Sequence, residues 1–427
     1  MIPITKLIFL FLFSIFSSLL LCQDSESEYI FDKITFSGNN NTKASYLHQN
    51  ISCRTQMSYT LSDVEFDVQQ LRNLPSIANA SYVIDNVDNE SVLQFVIEER
   101  KTKLPLLNIG GIKDNVWIGI GIIESNFRQR GNSLLAYYQF TDGRHSAEVF
   151  YKNPRTLKGI WGYTASLRKW SSIEPLFFPE GTVQYLYDNN SLGLSLIRNF
   201  GLRSYVELGA TLFRESYSQA ESQEILNPPG PKSLTINKYL SKFRANHNQL
   251  FYSYFYLKGY SLNLIYQNVY NFQDGTFFNI IELATKFFFR PRPKLNIATR
   301  LHLGVSTNND SPFAPFVVDS RINIRGIGNR IDRGTAQAIL NVEARRTIYH
   351  VDQWSSQVVL FSDLGSWRRP GGELKHLIDD NNFRHFVGGG IRIAYQKVFG
   401  ATLRLDYSID LYNLKERGFV FGLGQYF

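Results

Sequence analysis

Cysteine is almost absent: 427 residues hold two, Cys22 and Cys53. With Cys22 in an apolar leader, Cys53 has no partner inside the mature chain, which excludes a disulfide scaffold and a cysteine-based metal site. After residue 21 no stretch of eighteen consecutive apolar residues occurs, which excludes a later transmembrane helix. Catalytic signatures are missing too. There is no G-x-S-x-G, H-E-x-x-H, phosphate-binding loop or dinucleotide fingerprint. Gly388, Gly389 and Gly390 lie in a strand-like pattern with no phosphate-loop context. His350, His376 and His385 are isolated histidines of the kind found on polar surfaces, so no enzyme, metal or cofactor is expected.

What is present begins with Lys6 and the Leu/Ile/Phe-rich run Leu7–Leu21, the length of a signal-peptide core. Residues 1–22 are therefore expected to be a signal peptide. Lipidation of Cys22 is the lesser alternative, because Leu21 before it is large. Aromatic residues make up 15% of the chain, with 33 Phe and 24 Tyr. An aromatic-rich, cysteine-poor exported chain without long apolar runs points to a membrane barrel, whose hydrophobicity is hidden in alternation. The net charge of +8 is assigned to loops and lumen, since no basic helix or nucleic-acid motif accompanies it.

Residues 28–100 read as a small α/β domain. Ile30–Gly38 is expected to be a strand, followed by a helix capped by Thr42 and running to about Ile51, a region that includes Cys53. Ser62 and Glu65 suggest a capping box for a helix Asp63–Leu71. Val64, Val68 and Leu71 share its buried face, and Asp67 and Gln70 point away. Two strands, Ala80–Ile84 and Val92–Val96, are joined by the polar turn Asn86–Glu90.

From Leu104 to Phe427 the period is two. Leu403, Leu405, Tyr407 and Ile409 alternate with Arg404, Asp406, Ser408 and Asp410, one face suiting lipid and the other a wet lumen. Phe419–Phe427 reads as the terminal strand. Short turns (Arg290–Lys294, Val398–Gly400) alternate with long loops (Val305–Ala336, Gly365–His385). At roughly 20 residues per tilted strand and connection, about 16 strands fit.

Several motifs then resemble the BamA/TamA-type outer-membrane protein assembly superfamily, which includes the two-partner-secretion transporters. In the α/β segment these are the opening I-x-F-x-G, the run Leu71–Pro75 and the closing Phe95–Glu99, which resemble a POTRA (polypeptide-transport-associated) domain. In the barrel, Arg321–Ile327 with Arg325-Gly326 resembles the V-R-G-F/Y loop motif. Phe361, Asp363 and Gly365 resemble F-x-D-x-G, and Phe427 resembles the aromatic C-terminal barrel signal. Asn126–Gly131 is similar to the early N-x-x-G-x-G turn, and Asn153-Pro154 to an N-P turn. Phe255–Gly259 departs from Phe-Pro-x-x-Gly by lacking the proline, and a single POTRA-like domain suggests a specialised member.

The alternation itself places Glu343 and Asp363 toward the lumen, where an inward-folded loop would let Arg325 meet either carboxylate in a bidentate bond. Gly326 would permit the bend beside it. The resemblance implies assembly and insertion of outer-membrane proteins, with substrate strands added to a sheet edge and then to a lateral seam. Pro105, Gly110 and Gly111 on the first strand and Gly422 and Gly424 on the last should make that seam pair weakly. The alternative is a translocation pore for a dedicated secreted or surface protein. Implied partners are unfolded outer-membrane or secreted polypeptides and outer-membrane lipid, with accessory lipoproteins left open and no nucleic acid. The implied location is the outer membrane of a Gram-negative bacterium, with the N-terminal domain in the periplasm.

Overall fold

The computed structural model describes residues 27–112, 115–141, 143–156, 159–220, 228–318, 320, 323–327, 332–379 and 382–427. The expected signal peptide and Cys22 lie outside the described residues, as do Arg321 and Ile322.

The N-terminal unit is a three-stranded sheet with two helices packed on it. Lys33–Ser37 (β2) runs parallel to Glu90–Glu99 (β5), which pairs antiparallel with Ile77–Val87 (β4). Asp88 and Asn89 both have positive φ, +54° and +67°, the two-residue turn that matches the twist of a hairpin. Phe31, Leu47, Ile51, Val64, Leu71, Ile77, Leu93 and Phe95 fill the core.

Local chemistry departs from the sequence expectation in four places. The first strand is split: Tyr29–Ile30 (β1) pairs with Ser58–Tyr59 (β3), and Asp32 leaves the ladder to accept from the backbone N–H of Ser91. The first helix is only Ala44–His48, and its N-cap position is Lys43, not Thr42. Thr42 is committed elsewhere, its hydroxyl accepting from Asn126 of the barrel. The second helix, Leu61–Arg72, is capped by Thr60 and Asp63 rather than Ser62 and Glu65. Asp67, expected to face outward, is fully buried. Its carboxylate accepts from the backbone N–H groups of Ser52 and Cys53 at 2.6 and 2.8 Å, which satisfies a turn that would otherwise be orphaned. Cys53 therefore sits in a connection between helices. Its thiol is pushed up in pKa by burial and then by Asp67.

The rest is one antiparallel sheet of 16 strands. Its members are Lys103–Ile112 (β6), Asn115–Phe127 (β7), Asn132–Thr141 (β8), Arg144–Thr156 (β9), Trp161–Phe178 (β10), Gly181–Phe200 (β11), Ser204–Gln219 (β12) and Ser233–Ser253 (β13). Tyr256–Asn271 (β14), Phe277–Arg292 (β15), Leu295–Ser306 (β16), Ala336–Val351 (β19), Trp354–Arg368 (β20), Arg384–Tyr395 (β21), Thr402–Asp410 (β22) and Arg417–Leu423 (β23) complete it. Each strand pairs with its sequence neighbour, save that β16 pairs β19 across the long loop, which carries its own hairpin Phe316–Val318 (β17) with Asp332–Gly334 (β18).

The wall is two-faced. Leu360 is 67% exposed while Val359 and Phe361 on either side are 0% and 6% exposed. The same alternation around the sheet leaves an outer surface of Leu, Ile, Val, Tyr and Phe. So large a contiguous apolar surface suits a hydrocarbon surrounding. Among the described residues no helix is long and apolar enough to cross a membrane.

The long connections, 220–232, 307–335 and 369–383, all lie at the end away from the α/β unit. The first three connections at that end are short as well, so the asymmetry belongs to the later strands only. Asn153-Pro154 is not a turn. Both residues lie inside β9 at a register shift against β10, where a proline without a donor is tolerated.

Candidate functional site

The loop between β16 and β19 folds into the lumen, where its Arg325 is fully buried. Register explains the site it meets. Asn341 lies directly across from Asp363 in the β19–β20 ladder, and Glu343 across from Phe361, so all four project to one patch of the inner wall. Arg325 Nε and Nη2 donate to the two oxygens of Asp363 at 2.8 and 2.9 Å, and its backbone N–H adds a third bond at 3.0 Å. Arg325 Nη1 donates to Glu343. The guanidinium carbon lies 3.5 Å from the Phe361 ring centroid and 4.4 Å from that of Tyr426. The cation is thus held at its edge by carboxylates and on its faces by rings.

The network extends beyond the residues that motif reading singled out. Arg345 donates to Glu343 at 2.6 Å, and Arg392 makes a bidentate pair with Asp406 at 2.5 and 3.1 Å. Asn341 bonds both Asp363 and the Asn323 carbonyl of the loop, at 2.7 and 2.9 Å. Arg392 and Arg404 sit directly opposite each other on β21 and β22, a repulsive placement relieved by Asp406 between them. Alternation marks Arg392, Arg404, Asp406, Asn341 and Arg345 as lumen-facing. It does not say which loop they would meet, so sequence reasoning passed over them.

Gly326 has φ +86°, and a Cβ there would lie 2.0 Å from Ser408 Oγ. That hydroxyl donates to the Arg325 carbonyl at 2.7 Å, so the glycine allows both the backbone conformation and the close approach to β22. Gly365 leaves room for Ile324, and Gly388 for the Phe361 ring.

The last residues depart most from expectation. The terminal strand ends at Leu423, not Phe427. Gly424, with φ +85°, lies just beyond the strand and turns the chain inward. Tyr426 OH donates to the Ser320 carbonyl at 3.1 Å, and its ring faces Arg325 and Arg404. Phe427 packs with Leu250, Leu257 and Phe288 beneath Arg300 and Arg345. Phe427 therefore faces the lumen rather than lipid. The physical reason is that aromatic faces and buried guanidinium groups attract in a site that water leaves.

The expected seam residues are placed as follows. Pro105, Gly110 and Gly111 lie in β6, paired only with β7. Gly422 lies in β23, paired only with β22, and a Cβ on it would meet the Arg404 guanidinium at 2.7 Å. Among the described residues no ladder joins β6 to β23. Instead Lys101, just before β6, reaches past β23 to the β21–β22 turn. Its N–H donates to the Lys397 carbonyl and its carbonyl accepts from the Phe399 N–H, both at 2.8 Å.

The α/β unit is fastened to this end of the barrel. Asn73 exchanges bonds with Leu250 and Tyr252 at 2.7 and 3.1 Å, Gln69 donates to the Tyr252 carbonyl at 3.0 Å, and Asn126 donates to the Asn41 carbonyl at 2.9 Å. Tyr46 presses its hydroxyl against Gly131, and burial pushes its pKa up to about 12.

The class so defined is a near-closed sixteen-stranded antiparallel barrel with an arginine-latched lumenal loop and a small α/β unit at one mouth. Solved structures of this form exist. The chain is similar to BamA from Haemophilus ducreyi lacking POTRA domains 1–3, at 16% identity and TM-score 0.53, over 92% of this chain and 83% of that one. It is similar to CdiB from Acinetobacter baumannii, at 14% identity and TM-score 0.59, over 93% and 74%. It is also similar to CdiB from Escherichia coli, at 11% identity and TM-score 0.60, over 92% and 76%. At these identities the likeness establishes the fold. No protein-family model and no curated protein matches the sequence.

Proposed function

We propose that this protein is an outer-membrane assembly barrel that receives unfolded polypeptide strands and releases them into lipid through its unclosed wall. The observation that carries the reading is that, among the described residues, no ladder joins β6 to β23. Two strand edges with unsatisfied backbone groups cannot stand in hydrocarbon. They favour an incoming strand that pairs with both. The α/β unit, read as a POTRA domain in the periplasm, offers further edges at β2 and β4 for strand addition. Strand pairing and burial of lipid-facing side chains supply the driving force, with no covalent step.

A second reading is a translocation pore for a dedicated secreted or surface protein. It is favoured by the loop that crosses the lumen on one buried arginine cluster, since a single displaced element would clear a path. Depleting the protein and quantifying the outer-membrane proteome separates the two. Loss of many β-barrels supports assembly. Loss of one or a few surface or secreted proteins, the barrels unchanged, supports translocation. An unchanged proteome and secretome overturns both.

A further inference from the structure

The lumen has two unlike walls. Strands β19–β22 carry the latch and are filled by the loop and by residues 425–427. The wall opposite turns small residues inward: Thr164 and Ser166 on β10, Ser191 and Ser195 on β11, Gly209 and Thr211 on β12. These alternate with exposed Leu167, Leu192, Leu194, Leu208 and Leu212 of the outer face. Toward the loop end, charge on this wall is balanced, Lys238 against Glu215 at 2.6 Å and Arg333 against Glu174. Toward the α/β unit it is not. Lys242 and Arg244 share the one carboxylate of Glu207, at 2.5 and 3.2 Å. Lys152 lies over the Tyr205 ring at 5.3 Å and interacts electrostatically with the same Glu207, so three cations face one carboxylate.

Register puts these cations on the two sides of one floor. Lys152 is opposite Thr164, Thr164 opposite Ser195, Ser195 opposite Gly209, and Gly209 opposite Lys242. Four strand spacings of about 4.8 Å separate the two lysines by roughly 19 Å along the wall. An extended peptide with side chains on alternate sides fits such a trough. Its backbone would meet Ser and Thr hydroxyls, and carboxylates on either side would reach a cation.

We infer that the β9–β13 wall of the lumen is a binding trough for an acidic, extended polypeptide segment. This rests on the polypeptide-handling reading and adds the chemistry of what is handled. Electrostatic attraction there works at longer reach than hydrogen bonding and weakens with salt.

The test uses the purified full chain in detergent and a fluorescent peptide of about 15 glutamates, roughly 50 Å when extended, read by anisotropy at about 50 mM salt. An equal-length lysine peptide is the control. The expected result is binding of the glutamate peptide alone, weakened at least about tenfold by the triple variant Lys152→Gln, Lys242→Gln, Arg244→Gln. Lys152→Gln alone leaves Glu207 paired with Lys242 and Arg244 and should weaken binding even where the triple variant does not fold. Lys375→Gln, in an exposed loop pair with Glu373, should change nothing. No binding by the native chain, equal binding of the lysine peptide, or indifference to Lys152→Gln would overturn the trough. If depletion still alters the outer-membrane proteome, only the acidic preference fails. If the trough binds but depletion changes nothing, the assembly and translocation readings fail instead.

Discussion

Arg325 and Asp363, 38 positions apart in sequence, form a three-bond contact in which side chain and backbone of one residue both donate to the carboxylate of the other. Because both side chains are fully buried, the contact is either made completely or paid for heavily.

Arg325→Ala should therefore leave Asp363 and Glu343 as buried charges with one cation fewer. Removing one partner of such a pair typically destabilises by about 3–5 kcal/mol. Limited proteolysis of residues 307–335 in the folded barrel should show the loop released. Arg325→Lys should rescue only in part, since an ammonium cannot form the planar fork. Asp363→Ala should release the loop as well. A loop equally protected in Arg325→Ala and the native chain would sink the latch.

Gly326→Ala should fail for two reasons that a double variant separates. The Cβ would strike Ser408 Oγ, and the left-handed backbone disfavours any side chain. Adding Ser408→Gly removes the clash and leaves the backbone penalty of about 1–2 kcal/mol together with the lost bond from Ser408 to the Arg325 carbonyl, so Ser408→Gly alone is the reference for the double variant. Loop proteolysis should rank native, double variant, then Gly326→Ala. Equal protection in all three would mean that the approach to β22 does not hold the loop.

Tyr426 joins residues beyond the last strand to the loop. Tyr426→Phe keeps the ring on Arg325 and Arg404 and loses the bond to Ser320. Tyr426→Ala loses both. Cation–π stacking contributes about 0.5–2 kcal/mol, so unfolding midpoints in denaturant should fall more for Ala than for Phe. If the two variants behave alike, the ring stacking contributes nothing measurable.

The bridge between Lys101 and Val398 gives a handle on the seam. Paired residues on neighbouring strands lie about 4.8 Å apart, inside the range a disulfide spans. Lys101→Cys with Val398→Cys should crosslink on oxidation. If β6 must swing outward, oxidation should block outer-membrane insertion of client barrels, and a reductant should restore it. Full activity of the crosslinked protein would mean the base of the seam need not open.

Tyr46 sets a pH limit on the attachment of the α/β unit. Its folded pKa is raised to about 12 by burial, so its neutral form is favoured in the folded chain. Stability from that site is complete below about pH 10 and declines as pH rises toward 12. Alkaline unfolding of the native chain should begin at lower pH than that of Tyr46→Phe, monitored by tyrosine absorbance and circular dichroism. Coincident curves would remove Tyr46 from the alkaline transition.

Alternation by itself decided the barrel: Leu403 to Asp410 declare an apolar and a polar face because strand side chains point opposite ways. The same rule put Glu343 and Asp363 inside. Helix boundaries in the α/β unit were misjudged because caps compete. Thr42 was taken by Asn126, and Thr60 with Asp63 out-competed Ser62 with Glu65 two residues on. Asp67 read as pointing away from the face of Val64, Val68 and Leu71, yet three donors at the Ser52–Cys53 turn drew it in. Only the tertiary structure decided where residues 424–427 go, that Arg345, Arg392 and Asp406 join the latch, and that the unbalanced cations lie opposite it. Those outcomes depend on which parts of a curved wall face each other across the lumen. Local periodicity says whether a residue faces inward, and carries no record of what it meets there.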